Sequence, residues 1–258
     1  MLKTFAYRDL IWELVARDLK VRYRRSAIGF LWSMLQPLMI MAVLHLVFST
    51  IFRFEGFIEN YAVYVLAGIL FWNFFSQSII ASMNSLRGNA QILQKLPVPM
   101  AVFPIATVLS GVINLLLALV PLFLILLVTG HPMTWALLFL PVSILIAVIF
   151  TLGAGLLLSP LAVLFTDVTE LVNVILTVLF YATPIIYPMA IIPADHVFFP
   201  LVRFNPARSI LEVFRDPIFL NKIPPITHLS VALIVAVVAL IIGTLAFRRL
   251  SSRIPFHL

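Results

Sequence analysis

Residues 102–128 read VFPIATVLSGVINLLLALVPLFLILLV, an apolar run without one charged side chain. At 1.5 Å of rise per residue, a helix of that length exceeds the roughly 30 Å hydrocarbon core of a bilayer. The run therefore predicts a transmembrane helix, and the chain on either side repeats the pattern. Comparable stretches occupy residues 29–52, 61–83, 135–165, 171–187 and 229–247, which makes six expected spans. The fifth, 171–187, is the shortest and runs into Pro184, Pro188 and Pro193. Proline removes backbone donors, so this stretch either ends within the membrane or turns back as a re-entrant segment.

Composition leads to the same class. The chain has 258 residues, 63% hydrophobic and only 10% charged, with a mean hydropathy of +1.15. A soluble domain carries about 25% charge. So few charges leave an apolar surface, which lipid tolerates and water does not. The expected fold is one all-α integral membrane domain over residues 1–258.

A net charge of +7 and an isoelectric point near 10.1 raise the question of nucleic acid. The bases lie at the ends of apolar runs, which suits topology and anionic headgroups rather than a nucleic-acid groove. Cysteine is absent, which excludes disulfides, thiolate metal sites and a cysteine nucleophile. There is no His-x-x-x-His or Glu-x-x-His spacing, no Gly-x-Ser-x-Gly elbow and no facing acid pair at membrane depth. Neither a metal site nor a catalytic residue is expected. The charged start, with Lys3, Arg8 and Asp9, predicts no cleaved signal peptide.

Lys and Arg set the orientation. Lys3, Arg8, Arg17, Lys20, Arg22, Arg24 and Arg25 precede span one; Arg87 and Lys95 follow span two; Arg248, Arg249 and Arg253 follow span six. These belong inside, so both termini are expected in the cytoplasm. Residues 1–28 include an interfacial helix, because Tyr7, Leu10, Ile11, Leu14 and Val15 share one face opposite Asp9 and Glu13. The stripe fades after Val15, so the helix is expected to lie flat only in its first half.

Asp167-Val-Thr-Glu170 has the form of a capping box opening span five. Residues 184–225 hold eight of the 17 prolines. Within them Asn205-Pro206 reads as an N-cap followed by proline at the first helical position, with Ile210, Leu211 and Phe214 on one face. Short helices at an outer mouth are expected there, with Pro184, Tyr187, Pro188 and Asn205 as gate residues.

The string Arg17-Asp-Leu-Lys-Val-Arg-Tyr-Arg-Arg-Ser-Ala-Ile-Gly-Phe-Leu-Trp-Ser-Met-Leu-Gln-Pro-Leu38 resembles the start of the first span in type-2 ABC permeases that export polysaccharides and polyol phosphates. The resemblance continues through Leu96-Pro-Val-Pro99, Tyr181-Ala-Thr-Pro-Ile-Ile-Tyr-Pro188, Asn205-Pro-Ala-Arg208 and Phe214-Arg215, and covers essentially the whole chain. It implies a permease for O-antigen, capsular polysaccharide or teichoic acid, in the inner membrane of a bacterium. It also implies a homodimer working with two copies of a separate ATPase, which would hold the ATP and magnesium; no cofactor is expected in this chain. No Gly-x-x-x-x-Gly-Lys-[Ser/Thr] loop occurs and only 9 glycines are present, which agrees with a missing motor.

The family's coupling helix maps onto residues 84–98, with Arg87, Gln91, Gln94 and Lys95 as polar contacts to the ATPase. The pore that the resemblance places on spans one and five would be lined by Phe30, Ser33, Pro37, Asn173, Thr177 and Tyr181. Read from the residues themselves, Arg22, Arg24 and Arg25 at headgroup level suit either positive-inside anchoring or a grip on the diphosphate of a lipid-linked sugar. In span two, Asn73, Ser76, Gln77 and Asn84 form a stripe that either bonds neighbouring helices or lines a conduit. Phe71, Trp72, Phe74 and Phe75 lie too deep for an interfacial belt and offer dense packing or a sugar-stacking surface. No Asp, Glu, Lys or Arg lies near the centre of a span and His45 is the sole candidate for ion coupling there, which argues against a proton-coupled antiporter. Besides glycan export, export of a small lipid or drug by the same kind of permease remains open, and a membrane-embedded enzyme is the weaker third reading.

Overall fold

The computed structural model describes residues 7–24, 29, 31–51, 58 and 60–254. Among them there is no strand. Helix α1, Arg8–Tyr23, is followed by α2, Leu31–His45, whose last turns widen into a π-helical segment, Leu46–Ile51. Then come α3, Tyr61–Gly88; the short α4, Ala90–Lys95; and α5, Val102–Val128. A 3-10 turn, Trp135–Phe139, leads into α6, Leu140–Leu164, and α7 covers Val168–Ala182. Beyond it lie the short α8, Phe199–Arg203; α9, Pro206–Phe219; and α10, Ile226–Leu250.

Four of these units are long and apolar enough to cross a membrane: α3, α5, Trp135–Leu164 and α10. Of the other two expected spans, α2 and α7 are apolar but shorter. The reason is local for α7. Thr183 precedes Pro184 and adopts extended dihedrals, φ −103° and ψ 132°, because the proline ring disfavours the helical conformation of the residue before it. The chain then returns to the bundle instead of continuing as helix.

Helix α3 is the centre of the fold, packed against α2, α5, α6 and α9. It is the least apolar of the four long units and the most buried, as expected where protein, not lipid, surrounds a helix. Its aromatic run is fully engaged. Phe71 stacks on Phe75, Phe75 on Phe150 with centroids 5.2 Å apart, Phe71 meets Phe214, and Trp72 meets Phe180 edge-on. All four aromatics are buried, so in the single chain they pack the core and present no open sugar-stacking face. His45 likewise stacks on Tyr61.

The tightest crossing joins α6 and α10. A Cβ added at Gly243 would fall on the carbonyl oxygen of Gly153, so the two backbones touch without side chains between them. Small residues permit this approach, which in lipid replaces the missing hydrophobic drive with dispersion contacts. At Gly155 of α6 the missing Cβ instead makes room for the Ser82 side chain of α3.

Three expectations change in detail. Ile11, Leu14 and Val15 of α1 are buried against Val102, Phe103 and Ala106 of α5 and Phe247 of α10. Part of the apolar stripe thus rests on protein, and the helix runs straight on to Tyr23. The capping box at Asp167 does not form: Asp167 stands at the N-cap with φ −73° and ψ −16° rather than extended dihedrals, makes no cap bond, and its carboxylate accepts from the Thr166 hydroxyl at 3.3 Å. Finally, residues 84–98 are not one helix. Residues 84–88 close α3, Asn89 turns the chain at φ −118°, and α4 begins beyond it.

Candidate functional site: a polar cleft at one end and a fastened cap at the other

Thr107, Ser110 and Asn114 recur at i, i+3 and i+7 on α5, and Asn73, Gln77 and Asn84 lie along one side of α3. The two stripes face a common cleft of about 820 Å³. Gln36, Pro37 and Trp32 of α2 form another wall, and Arg17, Asp18 and Arg22 of α1 stand at its mouth. The mouth lies at the end of the bundle where α1 packs beside Phe247 near the close of α10, so the first and last described helices share that end.

The mouth is tied to the break between α3 and α4. Arg17 donates from Nη1 to Asn89 Oδ1 at 2.7 Å and pairs with Asp18 at 3.0 Å. Asn89 in turn donates to the Ser85 carbonyl at 2.7 Å. Beside it Arg87 reaches the Val163 carbonyl at the end of α6, while α4 buries none of its residues and exposes Gln91, Gln94 and Lys95.

At the opposite end, the segment after α7 is fastened through its carbonyl groups. Tyr61 donates to Ile186 O at 2.6 Å, and Tyr64 donates to Pro184 O and Tyr187 O at 3.1 and 2.9 Å. Arg215 donates to Pro184 O at 2.8 Å with its guanidinium 3.9 Å above the Tyr64 ring. Asn205 caps α9 through Ala207 N–H and also donates to Ala182 O and the Thr183 hydroxyl. A chain broken by prolines has free backbone acceptors, and here those of Ala182, Pro184, Ile186 and Tyr187 each find a side-chain donor. Thr183 and Ile185 are fully buried.

The sequence that builds these helices, cleft and cap matches a known transporter family over most of its length. Residues 9–219 match the ABC-2 type transporter family. The chain belongs to that family. It is 32% identical over 237 residues to the O-antigen export system permease protein RfbA of Myxococcus xanthus, covering 92% of this chain and 90% of that protein. It is 30% identical over 246 residues to the protein of the same name from Klebsiella pneumoniae, covering 95% and 93%. It is 22% identical over 249 residues to the polysialic acid transport protein KpsM of Escherichia coli, covering 91% of each.

In this ABC-2 transporter chain the expected site residues fall in three places. Arg22 and Pro37 line the cleft, and Arg24 stands exposed just past the end of α1. Arg25, Phe30 and the Ser33 side chain lie outside the described residues. Asn173, Thr177 and Tyr181 do not line the cleft; they sit on α7, with Thr177 and Tyr181 exposed in the single chain. Pro184 is buried, Tyr187 and Pro188 are partly buried, and Asn205 is buried. The residues that sequence reasoning missed are Thr107, Ser110 and Asn114, whose helical spacing in an apolar run was a usable signal, and Arg17, Asn89, Tyr61 and Tyr64, whose partners are distant in sequence.

Charge at the cap is concentrated on α9. Arg208 and Glu212 pair at 2.6 Å one turn apart, and His228 stands 3.9 Å from the same carboxylate. Burial, reinforced by the nearby Glu212 carboxylate, pushes the Asp216 carboxyl up to about 6 against the opposing pull of Arg215 and His228. No group of three or more possible metal ligands occurs among the described residues.

Proposed function

We propose that this chain is the membrane subunit of an ATP-driven exporter carrying a lipid-linked polysaccharide of the O-antigen, capsule or teichoic acid type across the bacterial inner membrane. The observation that carries the reading is the likeness to two O-antigen export permeases at 30–32% identity over at least 90% of both chains. The polysialic acid transport protein adds a second polymer exporter. Those names favour a polymer over a small lipid or drug.

The subunit acts as a homodimer with two copies of an ABC ATPase that binds ATP and magnesium. The chain crosses the membrane six times, with α2 and α7 completing the four long spans, and both termini are cytoplasmic. Exposed Gln91, Gln94 and Lys95, together with Arg87, support contact with the ATPase at the end of the bundle that carries α1. Arg22, Arg24 and Arg25 engage the diphosphate of the lipid-linked sugar at the inner headgroup level. Phe30, Ser33 and Pro37 of the first span and Asn173, Thr177 and Tyr181 of the fifth line the conduit between protomers; the exposure of Thr177 and Tyr181 in the single chain supports that role. Residues 184–225 form the outer gate. Pro184, Tyr187 and Asn205 belong to its fastened frame, and the more exposed chain after Pro188 is its moving part.

Expression in a strain lacking its own O-antigen permease, together with the cognate ATPase, tests the function. Long-chain glycan should reach the cell surface and the ATPase should co-purify. Loss of both, with extrusion of a small fluorescent lipid instead, would replace the polymer reading. Reporter fusions test topology: a tag after Leu258 should be cytoplasmic and one near residue 57 external.

A further inference from the structure

The cleft between α1, α2, α3 and α5 shares Pro37 and Arg22 with the proposed conduit and entry, but its two polar stripes on α3 and α5 have no role in either. We propose that it is a binding site for the first sugar units of the lipid-linked glycan, held through their hydroxyls by Asn73, Gln77 and Asn84 facing Thr107, Ser110 and Asn114. This inference rests on the export reading above.

Two features of the cleft require a polar occupant. Asn73 and Gln77 line it and make no hydrogen bond with any described residue. The groups around them are occupied locally: Asn84 donates to Ile80 O, Thr107 to Phe103 O and Ser110 to Ala106 O. Both carboxamides open onto the cleft, with Gln77 exposed and Asn73 half-buried, and at that depth of an apolar span an amide without a protein partner favours a polar occupant over an apolar one. Packing against a neighbouring helix would have supplied such a partner, yet the stripe faces an open volume of about 820 Å³, within the usual size of small-molecule sites.

The donors and acceptors identify the class of occupant. Carboxamides offer both, as sugar hydroxyls do, whereas a phosphate presents acceptors alone and would meet the carboxamide oxygens unfavourably. Cationic side chains are confined to the mouth, at Arg17 and Arg22. A molecule with its anionic group at the mouth and neutral hydroxyls above it therefore fits, and a phospholipid headgroup fits only the mouth. From Asn84 to Asn73 the stripe climbs about 16 Å, which is longer than one sugar ring requires. Trp32, exposed at the wall of the cleft, adds aromatic surface for the apolar side of a ring.

The test uses the full permease with its ATPase in nanodiscs and three photoreactive probes. These are a polyprenyl diphosphate N-acetylhexosamine with a diazirine on the sugar, the same polyprenyl diphosphate with the diazirine on the lipid and no sugar, and phosphatidylglycerol with a headgroup diazirine. The sugar-bearing probe should label peptides around 73–84 and 107–114, and N73L/Q77L should lower that yield at least fivefold. Replacing amides by leucine in a membrane helix does not threaten insertion, and Gln77→Asn should keep at least half the labelling. Equal labelling of the two stripes by phosphatidylglycerol, or labelling unchanged in N73L/Q77L, would overturn the proposal. Glycan reaching the surface of wild-type cells while neither stripe is labelled would overturn it and leave the export reading standing; absence of wild-type export would sink the export reading itself.

Discussion

The guanidinium of Arg17 and the carboxamide of Asn89 meet at 2.7 Å, 72 positions apart in sequence. Asn89 is where the chain turns from α3 into α4, and its own amide holds the last turn of α3 at Ser85. One side chain therefore joins α1, the mouth of the cleft and the segment proposed to contact the ATPase. Movement at α4 cannot leave α1 unaffected while that bond persists.

Arg17→Met and Asn89→Leu should each reduce stability, and together they should cost less than the sum. A double-mutant cycle on unfolding should give a coupling of about 1–2 kcal/mol, as for a hydrogen bond to a charged group that is partly shielded from water. A coupling below about 0.3 kcal/mol would mean that the pair is not bonded in the folded protein. In cells, the single variants should lose export while ATP hydrolysis continues.

The crossing of α6 and α10 predicts a sharp contrast between glycines. Gly243→Leu must separate two touching backbones, which should cost about 3 kcal/mol or more and lower the yield of folded protein severely. Nothing lies near a Cβ built at Gly88, so Gly88→Ala should leave stability unchanged or raise it by about 0.5–1 kcal/mol. Thermal unfolding in detergent separates the two outcomes. Equal effects would mean that the helices do not cross at Gly153.

The long spans were legible because period, length and lack of charge all point one way, as in residues 102–128. The ends were less so. Asp167-Val-Thr-Glu170 has capping residues at the right spacing, yet Asp167 takes helical dihedrals at the N-cap and makes no cap bond, because a cap depends on backbone dihedrals that the chain's approach to α7 sets. Asn205-Pro206 gave a correct N-cap, since proline fixes its own φ and leaves fewer alternatives. The stripe of Asn73, Gln77 and Asn84 was visible, but its purpose was not. Whether a polar stripe meets another helix or a cleft depends on how far apart α2 and α5 stand, and no local pattern in α3 encodes that distance. Arg215 was visible in the Phe214-Arg215 motif and in the helix begun at Asn205, but its role was not, because its partners Tyr64 and Pro184 come from two other elements.

Asp216 should make stability depend on pH. Its carboxyl is raised from an ordinary 3.8 to about 6, so the fold favours the neutral acid. The contribution is complete below about 3.8 and is lost as pH rises through about 6. Asp216→Asn should therefore melt about 2–4 °C above the parent at pH 7.5 and level with it near pH 4. The difference between variant and parent isolates this group from Glu212 and His228, which face it from the same cluster. A variant less stable than the parent at pH 7.5 would show that the ionised form is the one the fold uses.

Arg215 is the fastening that the cap can least spare. It is almost fully buried, donates to the Pro184 carbonyl and stands 3.9 Å over the Tyr64 ring, so three elements meet at one guanidinium. Arg215→Met keeps the volume but leaves the ring without its cation and weakens the hold on Pro184, at a cost of about 2–3 kcal/mol. Lysine supplies a single compact charge that cannot both stack and donate in plane, so Arg215→Lys should recover only part of the loss. The consequence falls on the adjoining chain. Ile185 is fully buried, with its Cγ2 3.0 Å from where a Cβ at Gly68 would stand, and it remains there only while the neighbouring carbonyls are held. Because the chain has no cysteine, Ile185→Cys can be probed directly with a membrane-impermeant maleimide added from outside. Labelling should be negligible with Arg215 present and at least tenfold faster with Arg215→Met, and protection unchanged by that substitution would show that Tyr61 and Tyr64 hold the segment without it.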